Sequence, residues 1–125
     1  MSFQRIRISE DATLKLRILK GRTGLTPNIL CRIAFCLSLG EPKMPNLNND
    51  SGGQEFNRYT LTGEWDSLFI ALLKEKLIRE GQDSHQDLIL QFKEHLERGI
   101  ILLYNRVKNI SDFVDLLPSI YKTSS

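Results

Sequence analysis

Apolar and polar positions along this chain fall mostly into helical patterns, and one stretch is apolar nearly all round. Between Thr26 and Gly40, the residues Ile29, Leu30, Ile33, Ala34 and Leu37 share one broad sector at about 100° per residue, while Cys31, Phe35 and Leu39 occupy much of the other. Only Asn28 and Arg32 mark a polar edge. Thr26 suits the N-cap, and Pro27 suits the first helical position, where a missing N–H costs nothing. Gly40 offers a left-handed stop, followed by Pro42. A helix of this kind is buried on more than one side, so the pattern predicts a central helix packed by its own chain on one side and by a partner subunit on another. It is too short for a membrane span, which needs about 20 residues.

Upstream, Ile6 and Ile8 alternate with Arg5 and Arg7, which predicts a short half-buried strand or an extended arm. Ser9 reads as the N-cap of a helix reaching about Lys20, with Glu10 and Asp11 at its positive end and Arg17 and Lys20 at the other. Two apolar lines run along it, Ala12–Leu16–Leu19 and Leu14–Ile18, and two apolar faces on a short helix predict oligomer contacts. In the connector that follows, Gly21 is expected to end the helix in the left-handed conformation and Gly24 to permit close backbone approach. Exposed amides there, beside Lys20 and Arg22, suit a phosphate; a plain helix–helix turn explains the same residues.

Residues 41–58 are rich in Asn, Gly and Pro and read as an exposed loop. Phe56, Tyr59 and Leu61 return to the core, and Thr60 or Thr62 is expected to cap the next helix. Trp65, Leu68, Phe69, Leu72, Leu73 and Leu77 recur there at helical spacing as far as Gly81. Ser84 is expected to open a longer helix through Leu88, Phe92, Leu96, Leu103 and Val107, with Gly99 marking a close helix–helix contact. Ser111 begins a short last helix carrying Phe113, Leu116 and Leu117, stopped by Pro118. The expectation is an all-α, mainly helical fold of about five helices around the central apolar one, with the short N-terminal strand or arm. It forms a single domain over 1–125: a basic part at 1–40, a loop at about 41–58, and C-terminal helices at about 62–118.

Charge sharpens the picture. Residues 1–40 hold Arg5, Arg7, Lys15, Arg17, Lys20, Arg22 and Arg32 against only Glu10 and Asp11, a net +5, whereas the remainder nets −3. A basic segment of this kind is the footprint of a polyanion such as DNA, and an ordinary solvated face is the plainer reading. These seven basic residues are the candidate DNA contacts, and Gly21, Gly24, Leu14 and Ile18 the candidate oligomer contacts. The two cysteines lie five apart in one helix, a poor geometry for a mutual disulfide, and the N-terminus lacks a signal-peptide pattern, so a cytoplasmic location is expected. No catalytic set is visible: His85 and His95 point in different directions, and the cysteine spacing matches no zinc pair. Cys31 with a distant histidine is the one conceivable nucleophile, against the ordinary role of a buried cysteine as a small hydrophobe. The expectation is therefore a non-enzyme without metal or cofactor.

The chain resembles the DndE family of DNA sulfur-modification (phosphorothioation) proteins. Arg7-Ile8-Ser9 leading into a basic helix, Gly21-Arg22-Thr23-Gly24-Leu25-Thr26-Pro27-Asn28, the cysteine-containing helix, and His95-Leu96-Glu97-Arg98-Gly99-Ile100 carry the likeness. The resemblance implies a small non-catalytic component of the machinery that replaces a non-bridging phosphate oxygen of DNA with sulfur. It further implies a homotetramer that binds nicked double-stranded DNA, working beside a cysteine desulfurase, an iron–sulfur protein and an ATPase, with no membrane contact. Two other readings fit the residues. A ribbon-helix-helix regulator would set Arg5 and Arg7 of paired strands into the major groove, and an assembly subunit would turn its basic face to an acidic protein.

Overall fold

The computed structural model describes residues 4–46, 50–82, 87–109 and 111–112. In chain order the elements are β1 (Arg5–Arg7), α1 (Glu10–Thr23), α2 (Pro27–Leu39), β2 (Glu55–Asn57), a short α3 (Arg58–Thr62), a 3-10 turn (Gly63–Trp65), α4 (Asp66–Arg79) and α5 (Leu88–Arg106). The fold is mainly helical, with one small two-stranded ribbon.

α2 is the helix around which the others gather. It buries Leu30, Cys31, Ala34, Phe35 and Ser38, and α5 is its principal neighbour. Phe35 stacks on Phe92 with ring centroids 4.4 Å apart and meets Phe69 edge-on at 5.7 Å, joining α2 to α5 and α4. Gly99 allows the approach: a Cβ there would overlap the Ala34 carbonyl group and lie 2.9 Å from its Cα. The opposite side of α2 stays open, with Ile29 and Cys36 exposed and Ile33 and Leu37 partly so.

β1 and β2 pair antiparallel with Ile6 opposite Phe56, both turned into the core. The ladder continues through Ile8 N–H to Gln54 O at 3.0 Å and Gly53 N–H to Ile8 O at 2.9 Å. Gly53 must be glycine, since a Cβ would overlap the Ser9 carbonyl and the Thr13 hydroxyl. β2 corrects the reading of 41–58 as loop throughout. Its three residues are shorter than the run of about four to eight that marks a strand in sequence, and it is held by β1 rather than by its own pattern.

Helix ends bring further corrections. Ser9 and Thr26 cap α1 and α2 by accepting from the amides of Ala12 and Ile29. α1, however, continues through Gly21 to Thr23; Gly24, at φ 77°, is the left-handed residue, and its N–H reaches Lys20 O at 2.8 Å. Gly40 is right-handed, at φ −78°. Long cations hold carbonyls in the last turn of α2 and just beyond it, Arg98 donating to Ser38 O at 2.7 Å and Lys76 to Glu41 O at 2.6 Å, so no left-handed cap is required. Thr60 caps no helix, and Thr62 holds only the N-cap position of the 3-10 turn, without a side-chain cap hydrogen bond. Asn57 caps α3, and the Thr62 hydroxyl lies between Arg58 O and the Asp66 carboxylate. Burial pushes the Asp66 carboxyl up, but hydrogen bonds from Arg58 and Thr62 and the charge of Arg58 outweigh it, holding the group below the usual carboxylate range. Asp87 caps α5. Ser84 and the last helix expected through Phe113, Leu116 and Pro118 lie outside the described residues.

Candidate nucleic-acid interface

The cations of the basic N-terminal part divide by what they touch. Arg5 and Arg7 both pair with the Glu55 carboxylate across the ribbon, at 3.0 and 3.1 Å. Arg32 faces inward along α3, its Nε donating to Leu61 O at 2.6 Å and Nη2 to Thr60 O at 3.3 Å. Those carbonyls are the loose acceptors at the end of a five-residue helix, which is where a guanidinium is useful. Arg22 donates to Tyr104 O and Val107 O, both at 3.3 Å, and closes the end of α5. Lys15 pairs with Asp11 one turn away. Lys15, Arg22 and Lys108 also surround the Tyr104 ring, at 5.3, 4.7 and 5.4 Å from its centroid.

Arg17 and Lys20 differ from these. Both are exposed on α1, neither is paired with a carboxylate among the described residues, and together with Thr13, Leu16, Pro27 and Gln54 they line a depression of about 240 Å³. Pro27 places the positive end of α2 beside it. The structure thus brings together two of the seven basic residues singled out from the sequence, and directs Arg5, Arg7, Lys15, Arg22 and Arg32 to partners within the chain.

Between the two basic margins of α1 runs an open strip of Leu14, half exposed, Ile18, partly buried, and Gly21, whose missing Cβ would meet nothing within 4 Å. Gly24 is explained by its left-handed conformation.

The second segment that sequence reading marked, His95 to Ile100, proves to be a buried polar knot. Glu97 accepts from the Ser9 amide at 2.7 Å and the Ser9 hydroxyl at 2.8 Å, tying the start of α1 to α5. Arg98 Nε donates to Ser38 Oγ at 2.8 Å, and the same hydroxyl is hydrogen-bonded to His95 Nδ1 at 2.7 Å. Burial first, then the charges of Arg98 and Lys76, pull the His95 pKa down to about 3, so the ring stays neutral. Polar residues at 95, 97 and 98 within an apolar helix were the available signal; the serines opposite them had none. Cys31 is not the nucleophile the sequence left open: it is fully buried, and desolvation, with the Glu97 carboxylate adding to it, pushes its thiol far up. Among the described residues no group of three or more His, Cys, Asp or Glu side chains is placed to hold a metal, and no helix is long and apolar enough to cross a membrane.

The ribbon-helix-helix reading requires β1 to pair with a second copy and to present its arginines outward. Here β1 pairs with β2 of its own chain, and Glu55 holds both arginines.

Across residues 5–111 the chain matches the family model for DNA sulphur modification protein DndE. No curated protein matches it. Among solved structures it is similar to DndE from Escherichia coli B7A, described as involved in DNA phosphorothioation modification, with 29% identity over 80% of this chain and 97% of that one and a TM-score of 0.67. It is likewise similar to a DndE mutant described as involved in DNA phosphorothioation, with 26% identity over 81% of this chain and 99% of that one and a TM-score of 0.61.

Proposed function

Since the chain belongs to the DndE family and so to DNA phosphorothioation modification, we propose that it serves there as a non-catalytic subunit that binds DNA through Arg17 and Lys20. The observation that carries this is the depression those two residues share beside the start of α2, where cations unpaired with any carboxylate among the described residues meet the positive end of a helix. Lysine and arginine at such a site take phosphates, release counterions and ignore sequence. A nick lets a duplex bend at little cost, so a rigid surface that requires a bent backbone favours nicked over intact DNA. The Leu14–Ile18–Gly21 strip supports self-association, and the homotetramer is the assembly we assign to it. Closing several copies together would bring several such depressions onto one DNA, beside the other proteins of the modification system.

Fluorescence anisotropy with matched intact, nicked and single-stranded DNA, at several salt concentrations, tests this. The expected result is salt-sensitive binding that favours the nicked duplex. In the Arg17→Gln/Lys20→Gln double variant, the salt slope should fall by up to about 1.8 for each copy that meets the DNA, at about 0.9 per lost phosphate contact. An unchanged slope would remove these residues from the interface. No binding to any of the three DNAs would favour the subunit that meets an acidic protein.

A further inference from the structure

β1 uses only one of its two edges. Arg58 N–H donates to Gln4 O at 2.7 Å and Ile8 N–H to Gln54 O at 3.0 Å, and the register sets Ile6 opposite Phe56 between them. In an antiparallel ladder, hydrogen-bonded and non-hydrogen-bonded residues alternate along the strand. The N–H and C=O groups of Arg5 and Arg7 therefore point away from β2. Among the described residues neither main chain has a hydrogen-bond partner, and both residues are exposed.

A cleft of about 340 Å³ adjoins this strand, lined by Arg5 and Arg7 together with Ile89, Leu90 and Lys93 of α5. Leu90 is 46% exposed. Two carboxylates stand there as well. Asp87 is turned to the Leu90 amide as the cap of α5, and Glu55 is shared by both arginines. Glu55 does not saturate them. A guanidinium has five N–H donors, of which Arg5 uses one on Glu55 and Arg7 two, on Glu55 and Gly53 O. The cleft thus sets three cations against two carboxylates, next to open apolar surface and an unfinished ladder.

From this edge and its charge we infer that β1 takes up a third strand, an extended segment of another protein with acidic residues at alternate positions and apolar ones between. The peptide groups of Arg5 and Arg7 hold its backbone. Residues directly opposite them share their face of the ribbon, so carboxylates two positions apart meet the two guanidiniums. The residue between turns the other way and has Ile89 and Leu90 to meet. Strand addition draws affinity from main-chain bonds and selectivity from alternate side chains. A second copy of β1 would set arginine against arginine, which is unfavourable across a strand pair, and DNA has no peptide groups to complete a ladder. The contact goes beyond the DNA surface proposed above and shares no residue with it.

Amide hydrogen exchange of the full chain, read by NMR, tests this with the synthetic peptide acetyl-Thr-Glu-Val-Glu-Val-Thr-amide. In the free chain the Arg5 and Arg7 amides should exchange faster than that of Ile6, and they should slow when the peptide is added to saturation. Fluorescence anisotropy of the labelled peptide reads its affinity. N-methylation of either the glutamates or the valines should abolish binding, and N-methylation of the other set should leave it. Arg5→Gln/Arg7→Gln should weaken binding roughly 2- to 30-fold, as two cross-strand charge pairs are lost, whereas Arg17→Gln/Lys20→Gln should not change it. No binding, binding that leaves the two amides fast, or equal effects of both N-methylations would overturn the inference. So would Arg5 and Arg7 amides already protected in the free chain, which would mean that the edge is occupied by a second copy. If nicked duplex displaces the peptide from the Arg17→Gln/Lys20→Gln variant, the edge arginines belong to DNA instead.

Discussion

Gly99→Ala and Gly21→Ala are the same chemical change in two helices, and the structure gives them opposite signs. In a helix interior alanine is favoured over glycine by roughly 1 kcal/mol. At Gly21 nothing lies within 4 Å of the added carbon, so that preference should appear almost in full. At Gly99 the new methyl would overlap the Ala34 carbonyl and lie 2.9 Å from its Cα. Backbone atoms of a packed helix cannot swing aside, so α2 and α5 must separate along the contact that also holds Phe35 on Phe92. Overpacking typically costs about 1–3 kcal/mol, and rigid neighbours on both sides put this site at the upper end. The net expectation for Gly99→Ala is a loss of about 2 kcal/mol. With an unfolding entropy of about 2.1 cal/mol/K per residue, that lowers Tm by about 8 °C for a chain of this length. Guanidinium titrations followed by circular dichroism, run at equal low protein concentration, would read both variants. A Gly99→Ala chain as stable as the parent would refute the close-contact argument, and a destabilised Gly21→Ala would show that the open space beside α1 is filled.

Two further outcomes follow from the buried groups. His95 is neutral when folded, with a pKa near 3, and regains its ordinary affinity for protons when unfolded. The unfolded chain therefore binds more protons between about pH 3 and 6.5, and stability is full above that window and declines on acidification, by about 2 kcal/mol at pH 5. His95→Gln should flatten that part of a pH–stability curve; an unchanged slope would mean the ring is charged in the folded chain. Of the two thiols, a reagent such as DTNB should modify Cys36, which is exposed, and leave Cys31 untouched until the chain unfolds. Two equivalents reacting in the native state would contradict the burial of Cys31.

What the sequence disclosed was local. Ser9, Thr26 and Pro27 act within one helical turn, so their roles could be read from neighbours alone, and Gly99 stood out because an apolar helix face had no other reason to lack a side chain. What it concealed depends on distant partners. Arg22 and Arg32 look like any surface cations until the ends of α5 and α3 arrive to receive them. Gly40 lost its expected conformation to Lys76 and Arg98, which come from two later helices. Periodicity grouped Trp65, Leu68 and Leu72 on one line, but it does not say whether the chain itself covers that line. Of the candidate interface, the charge bias was legible; that Arg17 and Lys20 share an open depression beside the start of α2 was not.

Ser9 and Glu97 stand 88 positions apart in the chain. At ribosomal speeds of about 5–20 residues per second, on the order of 4–18 s separate the synthesis of one from that of the other. Throughout that interval the first helix lacks the carboxylate that completes its start, and the apolar flank of α2 has no α5 to lie against. The growing chain thus carries its most hydrophobic helix without that cover until α5 has been made.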